Sequence, residues 1–472
     1  MGRGLWKYAA RGVLLVLVIG LGGWLVSRSP WRQETTDTNP MLLIGLDGME
    51  WDVAFPLLRA GQLPNLQRLM ESGVAGELIS MKPTGSPIIW TTIATGVGRD
   101  EHGITGFTKK TLTRRSNLEL FTSRDRLVKA LWNILSDADR VVTVIGWWNT
   151  YPAESVNGVV VAQVNTIRSD GTLPWDMRKG ALFEDTDYQV FPPQLQEEFL
   201  AHIPKAESDL SGIARAILGE DPLAMDPMEA KLWANCEWAL RADATYHRVA
   251  LDCLSRNLGF DLFAVYYGAT DVAGHRFWRY YEPSKYEDVP SEANIANLGR
   301  IIPAYYAYID ARIGELLAAA PENCNVLVVS DHGMVASGTE KVFSPDRPVS
   351  KLNSGDHADA PSAVFVAAGP DIRRSGNWGP VEEWTREQLR EVGSVYDITP
   401  TILAMQGIPL GEDMVGTVME SILAPGFLET HPVQWIASHT PSGWWEARQS
   451  GDLQPHLSEE REEQLRSLGY IE

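Results

Sequence analysis

The sequence predicts an α/β fold, a mostly parallel central sheet flanked by helices with an inserted cap subdomain. Short unbroken apolar runs that each end in polar chemistry are the first observation behind this reading. Runs of this kind, without polar alternation, suit strands buried on both faces of a parallel sheet. Helical patterns between the runs, such as Pro64 to Ser72 and Pro303 to Ala319, are the second. The third is length. At roughly 150 residues per domain, 472 residues make about three units, or one large domain with an insertion.

At the amino terminus, Gly12 to Ser27 (GVLLVLVIGLGGWLVS) is the only long uncharged apolar run, with Arg3, Lys7 and Arg11 before it and Arg28 and Arg32 after it. As a helix its sixteen residues reach about 24 Å, slightly short of a hydrocarbon core of about 30 Å. Trp6, Trp24 and Trp31 suit the two interfaces. A cleaved signal peptide and a buried helix are the competing readings, but Pro30 directly follows the best cleavage triplet, Ser27-Arg28-Ser29. The expectation is an uncleaved signal anchor over residues 1–32, a transmembrane helix that tethers an exported catalytic domain in the periplasm or at the cell surface. Residues 33–40 form a polar linker.

The core is expected in two parts, residues 41–107 and 261–425. Met41 to Leu46 runs into Asp47-Gly48, Leu262 to Tyr267 into the segment ending at Asp271, and Val326 to Ser330 into Asp331-His332-Gly333. Ala363 to Ala368 is a fourth run, with His357 just upstream. Open α/β sheets bind ligands beyond the carboxyl ends of their strands, and three aspartates stand there. The pattern stops over residues 108–260, which hold Trp132, Trp147, Trp148, Trp175, Trp233 and Trp238. This stretch is the expected cap; its tryptophans line a substrate groove or form the cap's own small core. A tail over 426–472 ends in a charged helical pattern, Ser458 to Leu468.

Charge narrows the partners. With 61 acidic and 41 basic side chains the formal charge is −20, so no nucleic acid polymer is expected on this surface. A small anionic substrate would need cations supplied locally. Cys236, Cys253 and Cys324 show no paired spacing and read as small buried apolar groups.

The chemistry sits in a few segments. In Lys82 to Gly96 (KPTGSPIIWTTIATG), Ser86 followed by Pro87 is an N-cap signature, and Gly96 suits the helix stop. Ser86 would therefore stand at the positive end of a short helix, where backbone N–H groups can receive a phosphate. Asp47, Asp271, His275, Asp331, His332 and His357 offer carboxylate and imidazole donors for two divalent ions, with zinc the expected metal and manganese the alternative. Asp271 and His275 are four apart, so a helical turn or a tight loop can present both to one ion.

LLIGLDG, PTGSPIIWTTIATG with EHGI, DVAGH, SDHGM and GDH occur in the order seen in the alkaline phosphatase superfamily. The chain resembles its type I phosphodiesterase/nucleotide pyrophosphatase branch and that branch's bacterial phosphohydrolase/phosphomutase-like relatives, and GHRFWRYYEP and DITPTILAMQGIP are similar to the bacterial group. The similarity covers most of residues 41–425 and implies an alkaline-phosphatase-like sheet. It implies that Asp271, His275 and His357 hold one zinc and Asp47, Asp331 and His332 the other. Ser86 would be the nucleophile, passing through a phosphoserine, with Thr84 the fallback; His102 of EHGI is not a ligand in the family.

Departures bear on substrate. The family's nucleotide pyrophosphatases carry an Asn three residues after the nucleophile, where this chain has Ile89, and Asn149 and Lys351 are the candidates to replace that contact. No Arg follows Ser86-Pro87 in the sulfatase manner. The expected function is hydrolysis of small phosphate esters, with diesters or pyrophosphates preferred. A phosphomutase or phosphotransferase using the same intermediate is the alternative, and a non-catalytic binding protein on this fold the more distant one.

Overall fold

The computed structural model describes residues 38–110, 118–163, 182, 186–204, 214, 215, 217, 227–344, 346, 352–374 and 378–448. Nine strands form one sheet: β1 (Met41–Leu46), β2 (Val74–Ile79), β3 (Val142–Ile145), β4 (Gly158–Val161), β5 (Val190–Phe191), β6 (Leu262–Tyr267), β7 (Asn325–Val329), β8 (Ala363–Ala368) and β9 (Glu391–Ser394). Across the sheet they lie in the order β9-β2-β8-β7-β1-β6-β3-β4-β5. β1 is hydrogen-bonded in parallel to β6 on one side and β7 on the other. Parallel pairing continues through β3 and β4, and β9 runs parallel to β2. The sheet is therefore mostly parallel, with β8 and the short edge strand β5 the two reversed members.

Successive side chains of a strand point to opposite faces, so one apolar run feeds two cores. In β1, Leu42, Ile44 and Leu46 face one core and Met41 and Leu43 the other. The first core receives helices α1 (Trp51–Arg59), α2 (Pro64–Ser72), α4 (Glu237–Ser255), α5 (Ala269–Tyr281) and α6 (Ile301–Ala319). The second receives α3 (Ser86–Thr95) and α7 (Ile398–Met405). Every residue of α3 is buried, which suits a helix that carries no charged side chain on any face. Gly96 ends it in the left-handed conformation and donates its N–H to Thr92 O at 2.8 Å.

β8 departs from the parallel reading of its sequence. An apolar run specifies burial on both faces but not direction, and β8 lies antiparallel to both neighbours, Phe365 pairing with Val329 of β7 and with Gly76 of β2. Its beginning therefore lies at the edge where the parallel strands end. Part of the stretch expected as cap is also built into the sheet, because β3 continues it outward from β6 through the Val142–Leu262 register, and β4 and β5 follow. Trp132, Trp147, Trp148 and Trp233 of that stretch are buried in the two cores, and Trp238 packs against one of them. Trp175 lies outside the described residues.

The expectation of a membrane-spanning signal anchor is corrected. Among the described residues no helix is long and apolar enough to cross a membrane. The longest described helices, α4 and α6, have 19 residues each, but both carry charge and pack on the sheet. In α6, Asp310 is spent on capping α2, accepting from Asn65 N at 3.1 Å and Leu66 N at 2.8 Å. The apolar run at residues 12–27 lies outside the described residues, as does the helical pattern at 458–468. The three cysteines are free; Cys236 and Cys324 are buried, and burial pushes all three thiols up to about 12.

Candidate active site

The carboxyl edge of the sheet gathers the predicted donors from separate turns. Asp47 follows β1, and Asp331 and His332 follow β7. Asp271 is in the first turn of α5, just after β6, with His275 one turn on; His275 Nε2 lies 3.3 Å from Asp271 Oδ1. His357 precedes β8, and the reversed direction of that strand is what delivers it here. Gly48 has φ +65, and a Cβ there would stand 3.0 Å from the Asp271 backbone, so the turn after Asp47 approaches α5 only as glycine.

The six side chains converge. His332 Nε2 lies 3.2 Å from Asp331 Oδ2 and 3.4 Å from Asp47 Oδ1. His357 Nε2 is 4.0 Å from Asp271 Oδ1, and its ring stacks on His332 with centroids 4.0 Å apart. Two groups bring their donor atoms within 4.8 Å of one another: Asp47, Asp331 and His332, and Asp271, His332 and His357. The first is the trio that the family resemblance implies for one ion. In the second, His332 is shared, while His275 reaches the same Asp271 oxygen from the side.

This donor set fits divalent cations. Each imidazole has its Nδ1 engaged behind it: His275 with Gly355 O at 2.8 Å, His332 with Gly333 O at 2.9 Å, His357 with Thr84 Oγ1 at 3.2 Å. That arrangement turns every Nε2 toward the carboxylates, the orientation of a metal-ligating histidine. Asp331 Oδ2 and His332 Nε2 are buried and make no hydrogen bond. Buried polar atoms ordinarily find a partner, and two facing donor atoms without one suit a divalent cation.

The electrostatics agree. Burial, then the Asp271 charge, holds the Asp47 carboxyl above its usual range, while burial, then Asp47, does the same more strongly to Asp331. Burial also acts upward on Asp271, but the surrounding imidazoles, His275 foremost, hold it well below. His357 is pushed well below its ordinary value by burial and then by His332. Three carboxylates packed this closely repel one another, and positive charge between them relieves it.

Ser86 is the first residue of α3, with Gly85 at the N-cap, one position later than its sequence suggested. It is fully buried, and its Oγ donates to Asp47 Oδ1 at 3.4 Å. Thr84 is differently employed, its hydroxyl donating to His357 O at 3.0 Å. His357 and Thr84, each 9% exposed, are the most accessible members, so the site opens on their side. Asn149 does not face the site with its amide: Nδ2 donates to Pro87 O at 3.1 Å and Thr91 Oγ1 at 2.9 Å, bracing the start of α3. Ile89, where nucleotide pyrophosphatases carry Asn, is wholly inside the core. Lys351 lies outside the described residues.

Three further residues belong to the surroundings and were missed by sequence reasoning. Tyr266 and Trp90 both donate to Asp47 Oδ2, at 2.5 Å and 3.1 Å. Asp243 of α4 accepts from Gly268 N at 2.8 Å and Ala269 N at 3.0 Å, capping the helix that carries Asp271 and His275. Trp90 stands four residues after Ser86 on α3, a spacing that placed it on the serine's face; nothing in the sequence signalled the other two.

Residues 41–395 match the family model described as type I phosphodiesterase / nucleotide pyrophosphatase. No curated protein sequence matches the chain. Among solved structures, murine ectonucleotide pyrophosphatase / phosphodiesterase 5 is 11% identical, with 82% of this chain and 100% of that one covered at a TM-score of 0.44. A 2-O GAG sulfatase is 11% identical, covering 85% of this chain and 76% of that one at 0.43. Phosphonoacetate hydrolase from Sinorhizobium meliloti is 17% identical, covering 65% and 59% at 0.36. At such scores the likeness is remote.

Proposed function

The chain belongs to the type I phosphodiesterase / nucleotide pyrophosphatase family, a family of phosphohydrolases, and on that premise we propose that it cleaves phosphodiester or pyrophosphate bonds through a phosphoserine on Ser86, at a centre for two divalent cations, zinc by preference. The observation that carries the reading is the convergence of three carboxylates and three imidazoles beside the Ser86 hydroxyl.

Ser86 Oγ forms the new bond to phosphorus while the bond to the leaving oxygen breaks, and the serine proton ends on the leaving group, which departs as an alcohol or a phosphorylated product. A water molecule then attacks the phosphoserine, the P–Oγ bond breaks, and the serine proton is restored, so that one water is consumed per turnover. Asp47 Oδ1, the acceptor of the serine hydroxyl, fixes the rotamer from which attack begins. Ser86 stands in the first turn of α3, so the positive end of that helix's dipole lies toward the phosphoryl group, although the N–H groups of Gly85, Ile88 and Ile89 are already donated to Pro83 O and Gly85 O. Asp47, Asp331 and His332 would hold one cation, and Asp271, His275 and His357 the other. Bound there, such cations supply positive charge that lowers the pKa of a hydroxyl and stabilises the entering and leaving oxygens.

The test is hydrolysis of bis-p-nitrophenyl phosphate and p-nitrophenyl phosphate by the purified chain, with and without chelator. Activity that needs metal, favours the diester and falls by roughly three orders of magnitude or more in Ser86→Ala is expected. Full turnover by Ser86→Ala would sink the mechanism.

A further inference from the structure

The two oxygens of Asp47 have different surroundings. Oδ1 faces Ser86 Oγ and His332 Nε2, each at 3.4 Å. Oδ2 faces away and is taken by two protein donors, the Tyr266 hydroxyl at 2.5 Å and the Trp90 indole N–H at 3.1 Å. A carboxylate oxygen offers about two lone-pair directions, so these two donors use up Oδ2. Asp331 repeats the pattern, its Oδ1 accepting from Gly48 N at 3.2 Å while its Oδ2 points at His332.

The donors themselves are rigidly held. Tyr266 pairs in register with Gly45 of β1, two residues before Asp47, so the sheet fixes its distance from the carboxylate. Trp90 packs edge-on against Tyr266 and Trp147, with centroids 5.2 Å and 5.0 Å away, and donates from the same face of α3 that carries Ser86. A Cβ on Gly45 would come within 2.8 Å of the Trp90 ring, so only glycine lets the indole in.

We propose that Tyr266 and Trp90 are positioning residues that restrict Asp47 to one-oxygen coordination and aim that oxygen at the Ser86 side of the metal centre. The proposal rests on the two-cation reading above and adds to it a device fixing coordination number. Because Trp90 and Ser86 share one helix, the same contact keeps nucleophile and ligand in step. With the donors gone, Asp47 is free to turn, so it must be ordered by the ion itself, which weakens its hold even where both oxygens engage, and Oδ1 is drawn away from the serine.

Tyr266→Phe removes one hydroxyl and keeps the ring; Trp90→Phe removes the other donor and serves if the first variant does not fold. Wild type and variants are loaded with zinc, and the two binding constants are measured by chelator competition; parallel samples are loaded with cobalt(II) for visible spectra. The expected result is two ions in every protein, one held roughly 10–100-fold more weakly in the variants. The cobalt absorption should weaken as coordination number rises, and kcat should fall with KM nearly unchanged. Folded variants with unchanged affinities and an unchanged cobalt spectrum would overturn the proposal while leaving the two-cation reading intact. A wild type that binds no divalent ion would overturn both.

Discussion

His102 is wholly buried within the EHGI segment, its Nδ1 accepting from Ile104 N at 3.1 Å and its Nε2 lying 3.1 Å from Thr92 Oγ1. These contacts require the neutral ring with its proton on Nε2. Burial, followed by the charge of Arg126, pushes its pKa down to about 3. The folded value lies below the unfolded one, so the group's stabilisation is complete above about pH 6.5 and is lost progressively as pH falls toward 3. His102→Gln should therefore show a flatter dependence of unfolding free energy on pH over that window. Urea unfolding of both proteins at pH 7 and pH 5 measures it; equal losses on acidification would show that His102 titrates as it does in the unfolded chain. Residue identity exposed this histidine as a non-ligand only through resemblance, because nothing local separates it from His357. What separates them is the acceptor beside each ring, Thr92 for one and the aspartates for the other.

Helix α5 owes its placement to a residue two elements away. Its first N–H groups have no internal partners, and Asp243 of α4, itself held by the Tyr305 hydroxyl, supplies the acceptor. Asp243→Ala should cost about 1–2 kcal/mol in chemical unfolding, as loss of a helix cap does, and should weaken metal binding through Asp271 and His275. A variant with wild-type stability would deny it the capping role. The same helix shows how far sequence reasoning reaches. Asp271 and His275 were legible because their spacing is local, whereas the cap is not, since Asp243 lies 25 residues before Gly268 in another helix. Strands β1, β6 and β7 were legible from their unbroken apolar runs. β3 and β4, four residues each, and β5, two residues, are too short to announce themselves, and they are the strands that bind part of the expected cap into the sheet. The direction of β8 was beyond reach, because hydropathy is the same read either way.

At the scale of the molecule, the acidic balance and the acidic centre are separate matters. The charge of −20 is spread over the chain, whereas three carboxylates buried at one edge form a local deficit that two divalent ions would more than offset. Chelation should therefore lower the thermal midpoint, and returned zinc should raise it, each saturated site adding about 2.7 kcal/mol at a hundredfold excess over its Kd. A midpoint indifferent to both treatments would mean that the centre carries no metal. Thermal melts with chelator, with zinc and with magnesium distinguish specific loading from general screening of the acidic surface.

The reversed strand β8 also bears on the order in which this enzyme comes into being. Among the described strands β2 has β8 and β9 as its sheet neighbours, so the segment from β2 to α3, with Ser86 at its tip, meets its inner strand partner only once residues 363–368 have been made. His357 comes with the same segment. A ribosome that has released residues 41–330 has made Ser86, Asp47, Asp271 and His275, but neither His357 nor the strand on which β2 pairs. Ser86 is thus synthesised early, whereas the strand that comes to lie between β2 and β7 is made nearly three hundred residues later.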